Sequence, residues 1–202
     1  MPPQTHHQRT QTLLLIQKIL SKPESSPLTL VLDSVEQGAA GLVKVVVGVA
    51  KASKTHTIYI SPTPLNAPPD IDTHITSRRK TPDTLRREIL ASIAQNQKTL
   101  LILSPLPPSL LKPTCNLPTY LLSLLSPTTS MLLIHHLDIP TPTPKNTHPY
   151  TPAPLPLLLY TATTILTLSS LPQHLALKRA QDTALAAPLF GLEEGREGVL
   201  GG

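Results

Sequence analysis

The run Asp33-Ser34-Val35-Glu36-Gln37-Gly38-Ala39-Ala40-Gly41-Leu42-Val43-Lys44 holds the residue types of a phosphate-wrapping turn in an arrangement that cannot perform its chemistry. Such a turn reads G-x-x-x-x-G-K-[ST]: the glycines let backbone N–H groups close around phosphates, the lysine reaches the outer phosphates and the hydroxyl holds magnesium. Here Gly38 and Gly41 are too close together, Lys44 lies three residues past Gly41 instead of next to it, and Val45 stands where the hydroxyl should be. Asp33 and Glu36 put negative charge where phosphates would sit, and at short range like charges repel. A nucleotide-hydrolysing site also needs a strand-end Asp to order magnesium. The matching position is Ser104, followed by Pro105, and Ser104 offers no more than a hydrogen bond. Gly38, Gly41, Lys44 and Ser104 thus mark a degenerate site. The expectation is a chain with no catalytic residue, no cofactor and no enzymatic activity of its own.

The other reactive side chains carry weaker signals. Asp70 and Asp72 are two loop carboxylates, read as solvated rather than as a metal or acid–base pair. His135 and His136 adjoin at a strand end, where neighbours point to opposite faces and cannot share one metal ion. His6 and His7 fall in a leader segment. Cys115 is the single cysteine. It permits no internal disulfide, fits a reducing compartment and reads as a buried thiol. Arg78, Arg79, Lys80, Arg86 and Arg87 place five cations in a loop and the helical turns after it. They suit phosphate contact without base reading, and equally a solvated loop or an ion-paired interface between subunits.

Composition narrows the classes further. The net charge is +5, the aromatic share is 2% and there is no Trp. A modest basic excess attracts phosphate backbones or acidic surfaces, but nucleic-acid binding by base stacking needs aromatic platforms. No signal peptide opens the chain, and cytosol or nucleus is expected. Leu155 to Leu171 is uncharged, yet it is short for a membrane span of about 20 apolar residues and is interrupted by Pro156, Thr and Ser. It is read as a buried strand pair.

The elements that must position these residues follow from hydrophobic patterning. Thr12 to Leu20 (TLLLIQKIL) has helical spacing and is stopped at Pro23. Leu28 to Leu32, Thr57 to Ile60, Thr99 to Leu103 and Ser130 to His135 are short continuous apolar runs, which suit strands buried on both faces. Gly41 to Ala52 reads as a helix. Another starts at Pro82 with Thr81 as its N-cap, and Leu117 to Leu125 reads as a third. Ser61 to Lys80 and Ile139 to Pro156 are proline-rich loops; Leu157 to Tyr160 reads as a short strand or a helix end, and Thr163 to Leu168 as a further strand. Alternating strands and helices predict an α/β domain with a largely parallel central sheet and helices on both faces, in which the strands Leu28–Leu32 and Thr99–Leu103 are neighbours. The expected organisation is a disordered leader over 1–10, the α/β domain over 11–177 and a loose tail over 178–202.

Four segments, in order, resemble the fungal form of the Elongator complex protein 5 family. Leu13 to Gln37 (LLLIQKILSKPESSPLTLVLDSVEQ) is similar to that family's opening helix, its "ESSPF" joint and its "LDS…Q" strand end. Ala50 to Ser61 (AKASKTHTIYIS), Ser126 to His136 (SPTTSMLLIHH) and Leu157 to Leu168 (LLLYTATTILTL) are similar to its second, fourth and "ATTI" strands. The resemblance implies a RecA-like fold without functional Walker motifs. It implies partners as well: Elongator proteins 4 and 6, which with this family's protein, two copies of all three, make a hetero-hexameric ring that binds tRNA and supports wobble-uridine (U34) modification by a separate catalytic Elongator subcomplex. It implies no membrane association and a location in cytoplasm and nucleus. The chain departs from the family at Thr99 to Leu106 (TLLILSPL), which replaces an "IIDSL" and so loses a relic acidic residue, and in its 24 prolines. It also stops at Gly202, where relatives continue into further strands and an acidic tail. Two other readings compete: a degenerate P-loop ATPase relying on Lys44, and a free-standing RNA-binding protein using the Arg78 to Arg87 cluster.

Overall fold

In the computed structural model, residues 26–64, 67–93, 98–111, 115–139 and 153–185 are described. The expected helix over 12–20, the leader over 1–10 and most of the expected tail lie outside them. The chain divides into two compact units, Met1–Leu168 and Ser169–Gly202.

The first unit is an α/β domain of RecA-like architecture built on six parallel strands. In chain order these are β1 (Leu28–Asp33), α1 (Ala40–Ala52), β2 (His56–Ser61), β3 (Thr73–Thr76), α2 (Pro82–Ser92), β4 (Thr99–Leu103), α3 (Leu117–Leu122), β5 (Thr129–His136), α4 (Pro154–Thr161) and β6 (Thr164–Thr167). The sheet order is β3-β2-β4-β5-β1-β6. The two strands expected to be neighbours therefore share the sheet but do not touch: β5 is inserted between β1 and β4, pairing Leu28–Asp33 with Met131–His136 on one side and Thr99–Leu103 with Thr129–Leu133 on the other. Chain order could not reveal this, because parallel strands are joined by crossovers and need not pair with the next strand.

The continuous apolar runs mean that both faces of each central strand are covered. Leu28, Leu30 and Leu32 point into one core with Leu101, Leu103, Leu85 and Ile89, beneath α2, α3 and α4. Val31 points the other way, with Ile102, Leu132 and Ile134, onto Val43, Val46, Val47 and Ala50 of α1. Those four α1 residues have helical i, i+3, i+4, i+7 spacing. Burying each valine is worth about 1.5–3 kcal/mol relative to exposure.

Two stretches differ from expectation. The loop from Ser61 to Lys80 contains an edge strand, β3, because Asp72 pins its start. The Asp72 carboxylate accepts from the Thr57 N–H at 2.7 Å and from the Thr57 hydroxyl at 2.8 Å. The Thr and Ile of THIT suit a strand, and the staple sets it against β2 despite the prolines that precede it. The apolar segment is not a strand pair: Leu157–Tyr160 takes the helical of its two readings, as the end of α4, and the strand expected over Thr163–Leu168 is β6. Proline at the first helical position of α4 needs no N–H partner and starts the helix instead of breaking it.

The second unit contains a helix, α5 (Leu171–Leu185). Among the described residues no helix is long and apolar enough to cross a membrane.

Candidate functional site

β1 and β5 end level with each other, and their last residues, Asp33 and His136, are register partners. This is the carboxyl edge of a parallel sheet, where open α/β domains place ligands. The Asp33 side chain is only 2% exposed. One of its oxygens pairs with His136 Nδ1 at 2.5 Å. The other accepts the N–H of Ala39, the residue preceding α1, at 2.9 Å. Asp33 therefore does for α1 what a capping side chain or a bound anion does elsewhere: it brings negative charge to the positive end of the helix dipole. The Leu137 N–H donates to the Asp33 carbonyl at 2.9 Å, closing the two strand ends together.

The turn between β1 and α1 spends further N–H groups on the protein itself. Val35 N–H donates to the Asp138 carboxylate at 2.5 Å. Ser34 and Gln37 close on each other, backbone to backbone at 3.4 Å and Gln37 N–H to the Ser34 hydroxyl at 3.4 Å. Glu36, expected to crowd the site with charge, is exposed. Asp138 takes that part instead. Its place in a loop after β5 gave the sequence no signal for it, and Asp33 meets His136 only because β5 pairs with β1, a pairing the sequence reading did not make.

Beside this pair lies a cleft of about 570 Å³. Gly38, Lys44 and Ser104 line it, together with Asp33, His136, Tyr59 and Pro105, so three of the four degenerate-site residues are brought together; Gly41 is not on the wall. A Cβ added at Gly38 or Gly41 would meet nothing within 4 Å. In a phosphate-wrapping loop glycine is required because backbone and ligand approach closely; here neither position is crowded. Ser104 is fixed by its N–H to the Ile60 carbonyl at 2.9 Å. The arrangement can hold a helix end and a loop in place. Among the described residues lining the cleft, the hydroxyls are those of Tyr59 and Ser104, on β2 and after β4 and not next to Lys44 in the turn, and the carboxylate is that of Asp33.

The remaining candidates separate. Burial, with His136 next to it, holds the His135 imidazole below its ordinary range and hence neutral. Asp70 pairs with Lys51 at 3.2 Å on the surface, while Asp72 bonds Thr57, so the two carboxylates do not act together. The Thr57 backbone N–H holds Asp72 below the usual carboxylate range. Cys115 packs against the core, and burial raises its thiol. Among the described residues no group of three or more His, Cys, Asp or Glu could hold a metal ion. Of the five cations, Lys80 is committed to an ion pair with Glu88 on α2. Arg78, Arg79, Arg86 and Arg87 are exposed. Arg79 sits at φ 61° in the turn after β3. That turn is two strand spacings, roughly 10 Å, along the edge from β4, so the arginines and the cleft share one edge without forming one site.

Comparison with known families decides the wider context. The family described as Elongator subunit Iki1 matches residues 15–202. The chain belongs to the Elongator subunit Iki1 family. Iki1 is Elongator complex protein 5, and the chain's role lies in the Elongator complex. No curated protein sequence matches the chain. The Iki1 match runs from the segment before β1 through both compact units, so it takes in the turn capped by Asp33 and the whole sheet. An Elongator structural subunit fits a site whose anion cradle is closed by its own carboxylates.

Proposed function

We propose that this Iki1-family chain is a non-catalytic subunit of a six-membered RecA-like ring, assembled with Elongator proteins 4 and 6, which binds tRNA and supports U34 modification by the catalytic Elongator subcomplex. The observation that carries this reading is the self-satisfied α1 N-terminus: Asp33 occupies the helix end that a nucleotide phosphate would use, and Asp138 takes a second N–H of the same turn. A domain that keeps the nucleotide-handling scaffold while closing its phosphate site retains surfaces as its function. Arg78, Arg79, Arg86 and Arg87 are then available for tRNA phosphates or an acidic neighbour, with Lys80 shaping the turn through Glu88. Cytoplasm and nucleus are the proposed locations.

Co-expression with proteins 4 and 6, followed by size determination, tests the reading. A complex with two copies of each subunit, together with no ATP turnover by the isolated chain, is expected. A monomer that ignores both partners would overturn it, as would magnesium-dependent ATP hydrolysis abolished by Lys44→Ala.

A further inference from the structure

Among the described residues, six hydroxyls are followed directly by proline: Ser26, Ser61, Thr63, Thr81, Ser104 and Ser126. A residue before proline favours extended backbone, and its neighbour has no N–H to bond. Protein kinases that select proline after the acceptor read that extended, donor-free pair. Ser26 and Ser61 are buried, and Thr63 and Ser104 are half-buried. Ser126 is exposed, but its hydroxyl donates to that of Thr129 at 2.8 Å inside the bridged turn before β5. Thr81 is exposed and extended, with φ −76° and ψ 156°. The turn in front of it is closed by a long bond, from the Lys80 N–H to the Ser77 carbonyl at 3.4 Å.

Thr81 also stands amid the chain's excess positive charge. Residues 77–92 carry Arg78, Arg79, Lys80, Arg86 and Arg87 against Asp83 and Glu88, a net of +3 within a chain of net +5. Lys80 is tied to Glu88, while the four arginines are exposed. A phosphothreonine brings about −1.5 to −2 charge at neutral pH. On Thr81 it would cut the segment's net charge to about +1. It would also stand next in sequence to Lys80 and compete with Glu88 for the ammonium. Asp83, in the first turn of α2, works against the added charge. The Thr81 hydroxyl oxygen already accepts the Thr84 N–H at 3.3 Å, and negative charge at the start of a helix is favourable. The modified residue therefore remains compatible with α2.

We propose that Thr81 is a phosphorylation site for a proline-directed protein kinase, and that its phosphate switches off the cationic face formed by Arg78, Arg79, Arg86 and Arg87. In the transfer the Thr81 Oγ bonds to the γ-phosphorus of ATP. The bond from that phosphorus to the β–γ bridging oxygen breaks, ADP leaves and the hydroxyl proton passes to the base of the kinase. What the switch controls in RNA rests on the tRNA reading proposed above; the modification and the loss of charge do not.

The full chain is incubated with ATP and a proline-directed kinase, and the product is mapped by mass spectrometry. Phosphate on Thr81, and none at this position in Thr81→Val, is expected; a product unmodified at Thr81 would overturn the proposal. Affinity for heparin, a polyanion without bases, is then measured between about 50 and 200 mM salt for the phosphorylated and unphosphorylated chains. The slope of log affinity against log salt should fall in magnitude by about 1.5, reflecting the charge that the phosphate cancels. Equal slopes would overturn the switch. Thr81→Val should keep the unphosphorylated slope; a slope as low as that of the phosphorylated chain would assign the loss to the missing cap and overturn the switch as well. The same chains are titrated with tRNA. If the unphosphorylated chain ignores tRNA while heparin binding still responds to the phosphate, the tRNA reading falls and the switch stands.

Discussion

If Asp33 and His136 together hold the turn, removing one should make the other nearly worthless. Taking one partner from a buried hydrogen-bonded pair leaves the other unsatisfied, at a cost of about 1–3 kcal/mol. His136 remains 31% exposed, so solvent screening reduces this. Asp33→Ala also strips the acceptor from the Ala39 N–H, and a lost helix cap costs about 1 kcal/mol. A destabilisation of about 2–4 kcal/mol is therefore expected for Asp33→Ala. His136→Ala, which leaves a buried carboxylate still bonded to Ala39, should cost about 1–2 kcal/mol. The double variant should fall short of the sum by about 1–2 kcal/mol, the coupling typical of residues in direct contact. Asp33→Asn, which keeps one oxygen for Ala39, should lose about half as much as Asp33→Ala. Urea unfolding followed by circular dichroism at neutral pH measures all four. A coupling within about 0.5 kcal/mol, the scatter of independent sites, would refute the idea that the pair acts as one device.

Three other outcomes follow from single sites. Gly48 lies inside α1 with nothing within 4 Å of an added Cβ, so Gly48→Ala should stabilise the domain by about 0.5–1 kcal/mol in the same unfolding assay. His135 and His74 are both held below the ordinary histidine value of 6.5, chiefly by burial. The unfolded chain therefore takes up their protons first, and stability should be full above about pH 6.5 and erode as pH falls below it. Urea midpoints at pH 7.5 and 5.5 should differ in that direction, and replacing both histidines with Gln should flatten the difference. The Cys115 thiol is raised by burial and, secondarily, by Asp83, so it should alkylate with iodoacetamide at neutral pH roughly tenfold or more slowly than a free thiol, as read by mass spectrometry.

The sequence carried most of the fold for a simple reason. LTLVL, TLLIL and SMLLIH are apolar at consecutive positions with no alternation, which suits a strand covered on both faces, and each is such a strand. Thr81 before Pro82 marked a helix start, and the Thr81 hydroxyl does accept from the Thr84 N–H at 3.3 Å. The readings that went astray depended on partners remote in sequence. β3 exists because Asp72 bonds Thr57, 15 residues away, and β5 sits between β1 and β4 although nothing in either strand names its neighbour. The candidate site was legible as a failure of phosphate chemistry at Gly38, Gly41 and Lys44. How the failure is filled was only half legible: Asp33 is conspicuous at the end of β1, whereas Asp138 reaches Val35 across 103 residues.

The sheet order also has a cost that is met on the ribosome. β1 finds its two neighbours only in residues 131–136 and 164–167, so its backbone stays unpaired until about a hundred further residues have been made. At about 5–20 residues per second that is roughly 5–20 s of synthesis. During this interval an apolar strand with two open edges is available to any other chain it meets. Chaperone dependence during translation, and loss as aggregates when expressed without helpers, would be decided there, before the folded domain offers a surface to any partner.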